Sequence, residues 1–330
     1  MKIKILIVCF IFMGFVGCSK KKSTPLINTT TQHRQVNSKV GSNDITPHTD
    51  SSKSVDLKYS LEQLDNTKGL SNSSVNSIFQ DSENLIWIGN WDGLNRYDGN
   101  SFKIFRPELD NDNSLSNQVI LKIDEDNTGK IWILTMHGIN RYDKKTGTFQ
   151  RYYFTRKNKP PLSEAEFNMA LDASKNVFCA IKDWGIGYFN GKDFQLIPIK
   201  NFSKKAVKKL EFTSSGELLV LFENNELYAL SFKNRNTVSK VELVSKEIRT
   251  FEIMPNHELC LVSVTGDASL YSLLDKNRQS LPEKNIGNIV GPIPGGLVLS
   301  GKSGYSIVDN DGKSISKQWL KHLKNQKITT

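Results

Sequence analysis

Two stretches of this chain carry nearly the same sequence 45 residues apart. The first, Gly69 to Phe102, reads GLSNSSVNSIFQDSENLIWIGNWDGLNRYDGNSF. The second, Ser114 to Phe149, reads SLSNQVILKIDEDNTGKIWILTMHGINRYDKKTGTF. Ser71 aligns with Ser116, Ile78 with Ile123, Asp81 with Asp126, Trp87 with Trp132, Gly93 with Gly138 and Tyr97 with Tyr142. Self-similarity at this period means an array of small units that share one core, so the fold class follows from it.

Each unit holds four short runs of β-branched and aromatic residues: Val75–Gln80, Leu85–Gly89, Leu94–Tyr97 and Phe102–Phe105 in the first. Turn residues separate them, including the Asp-Gly pairs Asp92-Gly93 and Asp98-Gly99, which favour hairpins because Gly supplies positive φ freely. Four antiparallel strands in roughly 40–45 residues make one propeller blade. A lone blade cannot cover its two apolar faces, so the units must stack to bury Trp87 and Trp132. The period continues in weaker copies at 172–194, 213–232, 254–274 and 293–309, with Phe178, Leu219 and Cys260 at the Trp position. The expectation is an all-β propeller of four-stranded antiparallel blades, with about six blades of a ring expected to hold seven. The closing KNQKITT reads like the opening of a further unit, and Val55–Leu64 like a lone strand ahead of the first. On this reading the 55–330 domain ends in an incomplete blade and the frame is a truncated copy of something longer.

At the N-terminus, Lys2 and Lys4 precede the apolar run Ile5–Val16, followed by Gly17-Cys18. That is the pattern of a secretory signal, too short to span a bilayer core of ~30 Å. Cys18 after Gly17 resembles a bacterial lipobox, with Phe15 an uncommon choice three residues earlier. It implies cleavage after residue 17, lipidation at Cys18, export, and membrane attachment through the lipid. Residues 19–54 are Ser, Thr, Lys, Asn and His with little apolar content, and read as a disordered tether.

The formal charge of +10 counts Lys2 and Lys4, and falls to +8 once both leave with the signal. The Lys and Arg residues are scattered, and an exported chain does not meet nucleic acid, so no nucleic-acid partner is expected. Cys179 and Cys260 sit on apolar strands of non-adjacent units and read as buried thiols. The five histidines, His33, His48, His137, His257 and His322, show no metal spacing, and neither metal nor cofactor is expected.

The frame GLS…V..I..D….IWIG…DGLNRYDG..F resembles the two-component regulator propeller repeat. Gly69-Leu-Ser71, Ile86-Trp-Ile-Gly89 and Asp92 to Gly99 carry the likeness, and Leu115-Ser116, Ile131-Trp-Ile133 and Gly138 to Asp143 repeat it. That repeat fills the extracytoplasmic sensor region of hybrid histidine kinases of Bacteroidetes-type bacteria. The resemblance implies a sensor that binds oligosaccharide or polysaccharide fragments and acts with a sensor kinase or other exported proteins. No kinase segment is read here, so the chain itself is expected to be non-catalytic. A stand-alone glycan-binding scaffold and a propeller polysaccharide lyase are the competing readings.

Asp81 and Asp126 recur at the blade period, which assigns them to equivalent turns rather than to a paired acid and base. Arg96 and Arg141 recur likewise, and are expected to brace neighbouring blades. Ligand contacts belong where the frame varies, in the turn between second and third strands of each blade. The candidates there are Trp91, Asp92, His137, Asp183, Trp184, Asn225, Asp267 and Lys302. Aromatic rings beside polar groups suit sugars, whose C–H faces pack on indole while hydroxyls bond at the rim.

Overall fold

The computed structural model describes residues 63–152, 167–200, 202, 205–293, 295–302 and 304–315. The signal, Cys18, the tether, residues 55–62 of the expected strand Val55–Leu64 and the closing segment 316–330 lie outside the described residues. Gln63 and Leu64 are not in a strand, and a 3₁₀ turn follows at Asn66–Lys68. Among the described residues no helix is long and apolar enough to cross a membrane.

Five four-stranded sheets and one of three strands follow in chain order. The first holds β1 (Val75–Gln80), β2 (Ile86–Asn90), β3 (Gly93–Tyr97) and β4 (Phe102–Phe105). The second holds β5 (Ile120–Glu125), β6 (Ile131–Thr135), β7 (Gly138–Asp143) and β8 (Thr148–Tyr152). The third holds β9 (Phe167–Leu171), β10 (Val177–Ile181), β11 (Gly185–Phe189) and β12 (Phe194–Ile197). The fourth holds β13 (Val207–Phe212), β14 (Leu218–Phe222), β15 (Leu227–Asn234) and β16 (Thr237–Ser245). The fifth holds β17 (Ile248–Ile253), β18 (Leu259–Ser263), β19 (Ala268–Tyr271) and β20 (Arg278–Ser280). The sixth holds β21 (Ile286–Ile293), β22 (Gly296–Gly301) and β23 (Gly304–Asp309), extended only by a bridge from Val308 to Ser314. Every strand pairs antiparallel with its chain neighbour, so each sheet is a meander, and together they form the expected propeller.

The apolar residues sit where one blade meets the next. Five buried clusters fill the five interfaces between consecutive sheets. Trp87 packs into the first, Trp132 the second, Phe178 the third, Leu219 the fourth and Cys260 the fifth. The position that holds Trp in the clear repeats therefore faces the following blade even where its identity has decayed. Trp87 stacks on Phe105 and meets the edge of Tyr142 from the second blade; Trp132 does the same with Tyr152 and Phe189. Gly89 completes the first interface by being small, since a Cβ there would collide with the Ile120 side chain. Both described thiols, Cys179 and Cys260, are free and buried, and burial pushes the Cys260 thiol up to about 12.

A buried indole N–H needs a partner. Asp81 Oδ2 accepts it from Trp87 at 2.8 Å, while Oδ1 accepts the backbone N–H groups of Glu83 and Leu85 at 2.9 Å. Asp126 does the same for Trp132, Thr128 and Lys130, and also receives Arg141 at 3.1 Å. The carboxylates thus fold the turn and anchor the interface ring, as their periodic recurrence implies. Burial pushes the Asp126 carboxyl up, but its hydrogen bonds outweigh that and leave it below the usual value. Arg141 also lies over the rings of Trp132 and of Phe189 in the third blade. In the third blade Phe178 has no N–H, and Asp172 turns its second oxygen to Asn176 instead.

A second set of bonds joins the first strands of successive blades. Asn76 donates to Ile120 O, Lys122 to Met169 O, Asn168 to Lys208 O, Lys209 to Phe251 O and Arg249 to Ile286 O. There is one such tether at each of the five interfaces. β1, β5, β13, β17 and β21 each carry a bulge at their start.

Asp126→Ala is expected to destabilise the chain by about 3 kcal/mol, because it strands Arg141 and the Trp132 N–H in a buried site. Asp172→Ala, at the same turn without an indole or arginine, is expected to cost about 1 kcal/mol. Urea unfolding of the two variants against the unaltered chain measures the difference.

Candidate ligand face and axial charge cluster

In a meander the turns joining second to third strands share one edge with the blade-to-blade connections, and the remaining turns occupy the other edge. The variable positions therefore fall on one edge of their sheets. What differs is how each turn is held. In the first blade Asn90, fully buried, accepts the N–H of Asp92 and the Ser71 hydroxyl, and donates to Asn72 O. Asn95 exchanges bonds with Ser71 through both its backbone and its hydroxyl. In the second blade Thr135 and Asn140 take these roles around Ser116. The Ser of the Leu-Ser pair and the Asn before Arg are thus turn-pinning groups. Sequence reasoning saw their recurrence without finding a role, because the partners lie about 20 residues apart.

On this frame Trp91 is half exposed, at 50%. Asp92 beside it pairs with Arg106 at 2.8 Å, which holds its carboxyl below the usual range. His137 is exposed, with Nδ1 3.4 Å from the Asn117 amide. Asp183 is exposed with a left-handed backbone, φ 63°. Trp184 is partly buried against the interface between second and third blades, its ring lying over Gly187. Asn225 is half-buried, also left-handed, and its carbonyl accepts the N–H of Ile248. Asp267 is exposed and pairs with Lys284 at 2.8 Å; Lys302 is exposed. Trp91 and His137 therefore offer accessible rings, whereas Trp184 closes its own blade.

A different polar group gathers on the first strands, where it was not expected. Lys209 lies 3.0 Å from Glu211 and 2.7 Å from Glu252 of the next blade. Lys122, two blades earlier, feels the charges of Asp124, Glu211, Lys209 and Glu252. Side chains from second, fourth and fifth blades reach one another only if their first strands converge on a common axis. The Lys209 side chain is 29% exposed, so the group is not sealed from water. Burial lowers Lys122 below the ordinary lysine value, its amine donating to Met169 O with no carboxylate of the described residues in contact. For Lys209 burial opposes the charge, but the attraction of Glu211 and Glu252 prevails and raises it. Burial raises Glu252 despite Lys209.

Elsewhere, a cleft of about 500 Å³ opens on the outer strands of the second blade, lined by Lys130, Arg141, Asp143 and Arg151 among others. Its charges pair internally, Lys130 with Asp143 and Arg151 with Asp112. His137 lies on a second-to-third-strand turn and His257 on a first-to-second-strand turn of the fifth blade, at opposite sheet edges. Among the described residues no group of His, Cys, Asp and Glu could hold a metal ion.

Residues 69–92 match the model of the family described as the two component regulator propeller. Histidine kinase P4 of Formosa agariphila is 55% identical over 38 residues, 12% of this chain and 3% of that protein. The extracellular domain of a hybrid two component system from B. thetaiotaomicron superposes with a TM-score of 0.59 at 19% identity, covering 73% of this chain and 36% of that one. Virginiamycin B lyase from Staphylococcus aureus superposes with a TM-score of 0.51 at 13% identity, over 72% of this chain and 80% of the lyase. At such identities the structures show the fold alone. Residues 69–92 carry the two-component regulator propeller repeat.

Lys122→Met tests the axial cluster. A lysine whose folded value lies below its unfolded value costs stability while protonated, and the cost is relieved as pH rises toward 10.5. The unaltered chain should gain stability relative to Lys122→Met between neutral pH and pH 10; denaturation at both reads it, and an unchanged difference would contradict the assignment.

Proposed function

We propose that this chain is the non-catalytic, ligand-sensing propeller of an extracytoplasmic signalling system, and that its ligand is an oligosaccharide. The matched regulator repeat supports the signalling assignment, and the likeness in fold to an extracellular domain of a hybrid two component system agrees with an exported protein. The chain spans about a third of that domain, so the kinase or other exported protein that receives the signal is part of the proposal. One observation carries the ligand reading: Trp91 stands half exposed on a two-residue turn whose neighbours Asn90 and Asp92 are fixed by hydrogen bonds and an ion pair. A rigid exposed indole flanked by a carboxylate presents an apolar plane and an acceptor together, which is what a sugar ring requires. His137 offers the equivalent position one blade on, with Asp183, Asn225, Asp267 and Lys302 as polar rim on later blades. Trp184 supports its blade. Diacylated Cys18 would hold the chain to a bacterial membrane, with residues 19–54 as the spacer.

A stand-alone glycan-binding lipoprotein would use the same face without a kinase. The lyase reading shares the fold of virginiamycin B lyase, but His137 and His257 lie at opposite sheet edges.

Calorimetric titration with a panel of plant, algal and host oligosaccharides tests the ligand class. One member should bind, and Trp91→Ala should raise its Kd roughly tenfold, the worth of one aromatic contact. The same variant should leave the melting temperature unchanged, whereas Trp184→Ala should lower it. Silence across the panel, or equal binding by Trp91→Ala, would remove the sugar-facing assignment. In bacteria, Cys18→Ser is expected to abolish labelling by a fatty-acid probe.

A further inference from the structure

The outermost strands of the blades are short, except one. β4 has 4 residues, β8 has 5, β12 has 4 and β20 has 3, but β16 has 9. It pairs with β15 on one side, and among the described residues no backbone hydrogen bond from Thr237–Ser245 runs to any other strand. Val241 and Leu243 on it are 44% and 41% exposed. A long edge with free N–H and C=O groups and exposed apolar residues is a template for strand addition, which proteins ordinarily avoid by keeping edges short.

The centre of this strand, Lys240-Val241-Glu242, is complementary in charge to itself about Val241. Run antiparallel against a copy of itself with Val241 opposite Val241, it sets Lys240 opposite Glu242 twice. The regular part of the strand, Lys240–Leu243, carries this pairing, since its register against β15 shifts at Ser239 and at Val244. Opposite charges directly across a pair are a stabilising cross-strand combination. In the single chain Glu242 already binds Lys240 and Lys276, both at 2.6 Å, so the pairing leaves no charge unpartnered.

We infer that β16 is a self-association edge, joining two copies of this chain about a twofold axis through antiparallel pairing centred on Val241. The interface is isologous, the same strand on both sides, and it turns two four-stranded blades into one continuous eight-stranded sheet. It goes beyond the ligand reading, since it lies on the outer strand and uses none of the proposed ligand contacts.

Sedimentation equilibrium of the purified chain over a concentration series, with hydrogen–deuterium exchange on the same samples, tests it. The unaltered chain should be dimeric, and amides of residues 237–245 should gain protection as concentration rises. Lys240→Glu alone and Glu242→Lys alone each place like charges opposite one another twice, and should raise the dimer Kd at least about tenfold. The double exchange, Lys240→Glu with Glu242→Lys, restores opposite charges and should restore the dimer. A chain that stays monomeric, a dimer indifferent to both single exchanges, or a double exchange that stays monomeric would each overturn the inference.

Discussion

A four-stranded meander has two flat faces, and in water both must be covered. Every feature of this chain follows from meeting that requirement with repeated units. At one repeated position each blade offers a buried apolar residue to the next blade, Trp87 and Trp132 first, then Phe178, Leu219 and Cys260. Where that residue is tryptophan, burial of its ring obliges the chain to supply an acceptor for the indole N–H. The aspartate that folds the adjoining turn does so, coupling local turn chemistry to the packing of neighbouring blades. In the third blade, where the indole is lost, Asp172 survives as a turn residue alone, and in the fourth and fifth blades Thr213 and Met254 stand at that position.

The polar counterpart runs along the axis. Tethers from each first strand to the next fix how closely the blades approach, and two of the five are lysines drawn into a low-dielectric setting. Lys209 is held by two carboxylates, while Lys122 is held by a carbonyl. Replacing a buried charge by an apolar residue is often neutral or stabilising, so such a group signals specificity of arrangement more than strength. With faces and axis committed to holding the propeller together, the turns at one sheet edge are left free to vary. That is where a half-exposed tryptophan stands on a rigid support.

Much of the fold could be read along the chain. β1 and β4 fall where alternation and Asp-Gly turns put them, and β2 and β3 begin within a residue of the expected positions. The Trp position was traceable through Phe178, Leu219 and Cys260 because packing tolerates any apolar residue of suitable size. The candidate site was less legible. Trp91 and Trp184 look equivalent in a sequence, yet one ring is exposed and the other covers Gly187, a difference made by a single extra residue in the third blade's turn. The pinning roles of Ser71, Asn90 and Asn95 escaped because their partners are distant. The axial cluster escaped because its members come from non-adjacent blades.

Period and polarity are properties of the chain itself, since a strand's alternation and a turn's need for Asp or Gly act over a few residues. The sequence therefore determined that this would be an array of small antiparallel sheets, and which residue of each would be buried. Convergence is not local. Which lysine meets which glutamate, which tryptophan stays in water, and which outer strand keeps an open edge depend on how blades are set against one another. That placement is a sum of many contacts spread over the whole chain, and only the tertiary structure decided it.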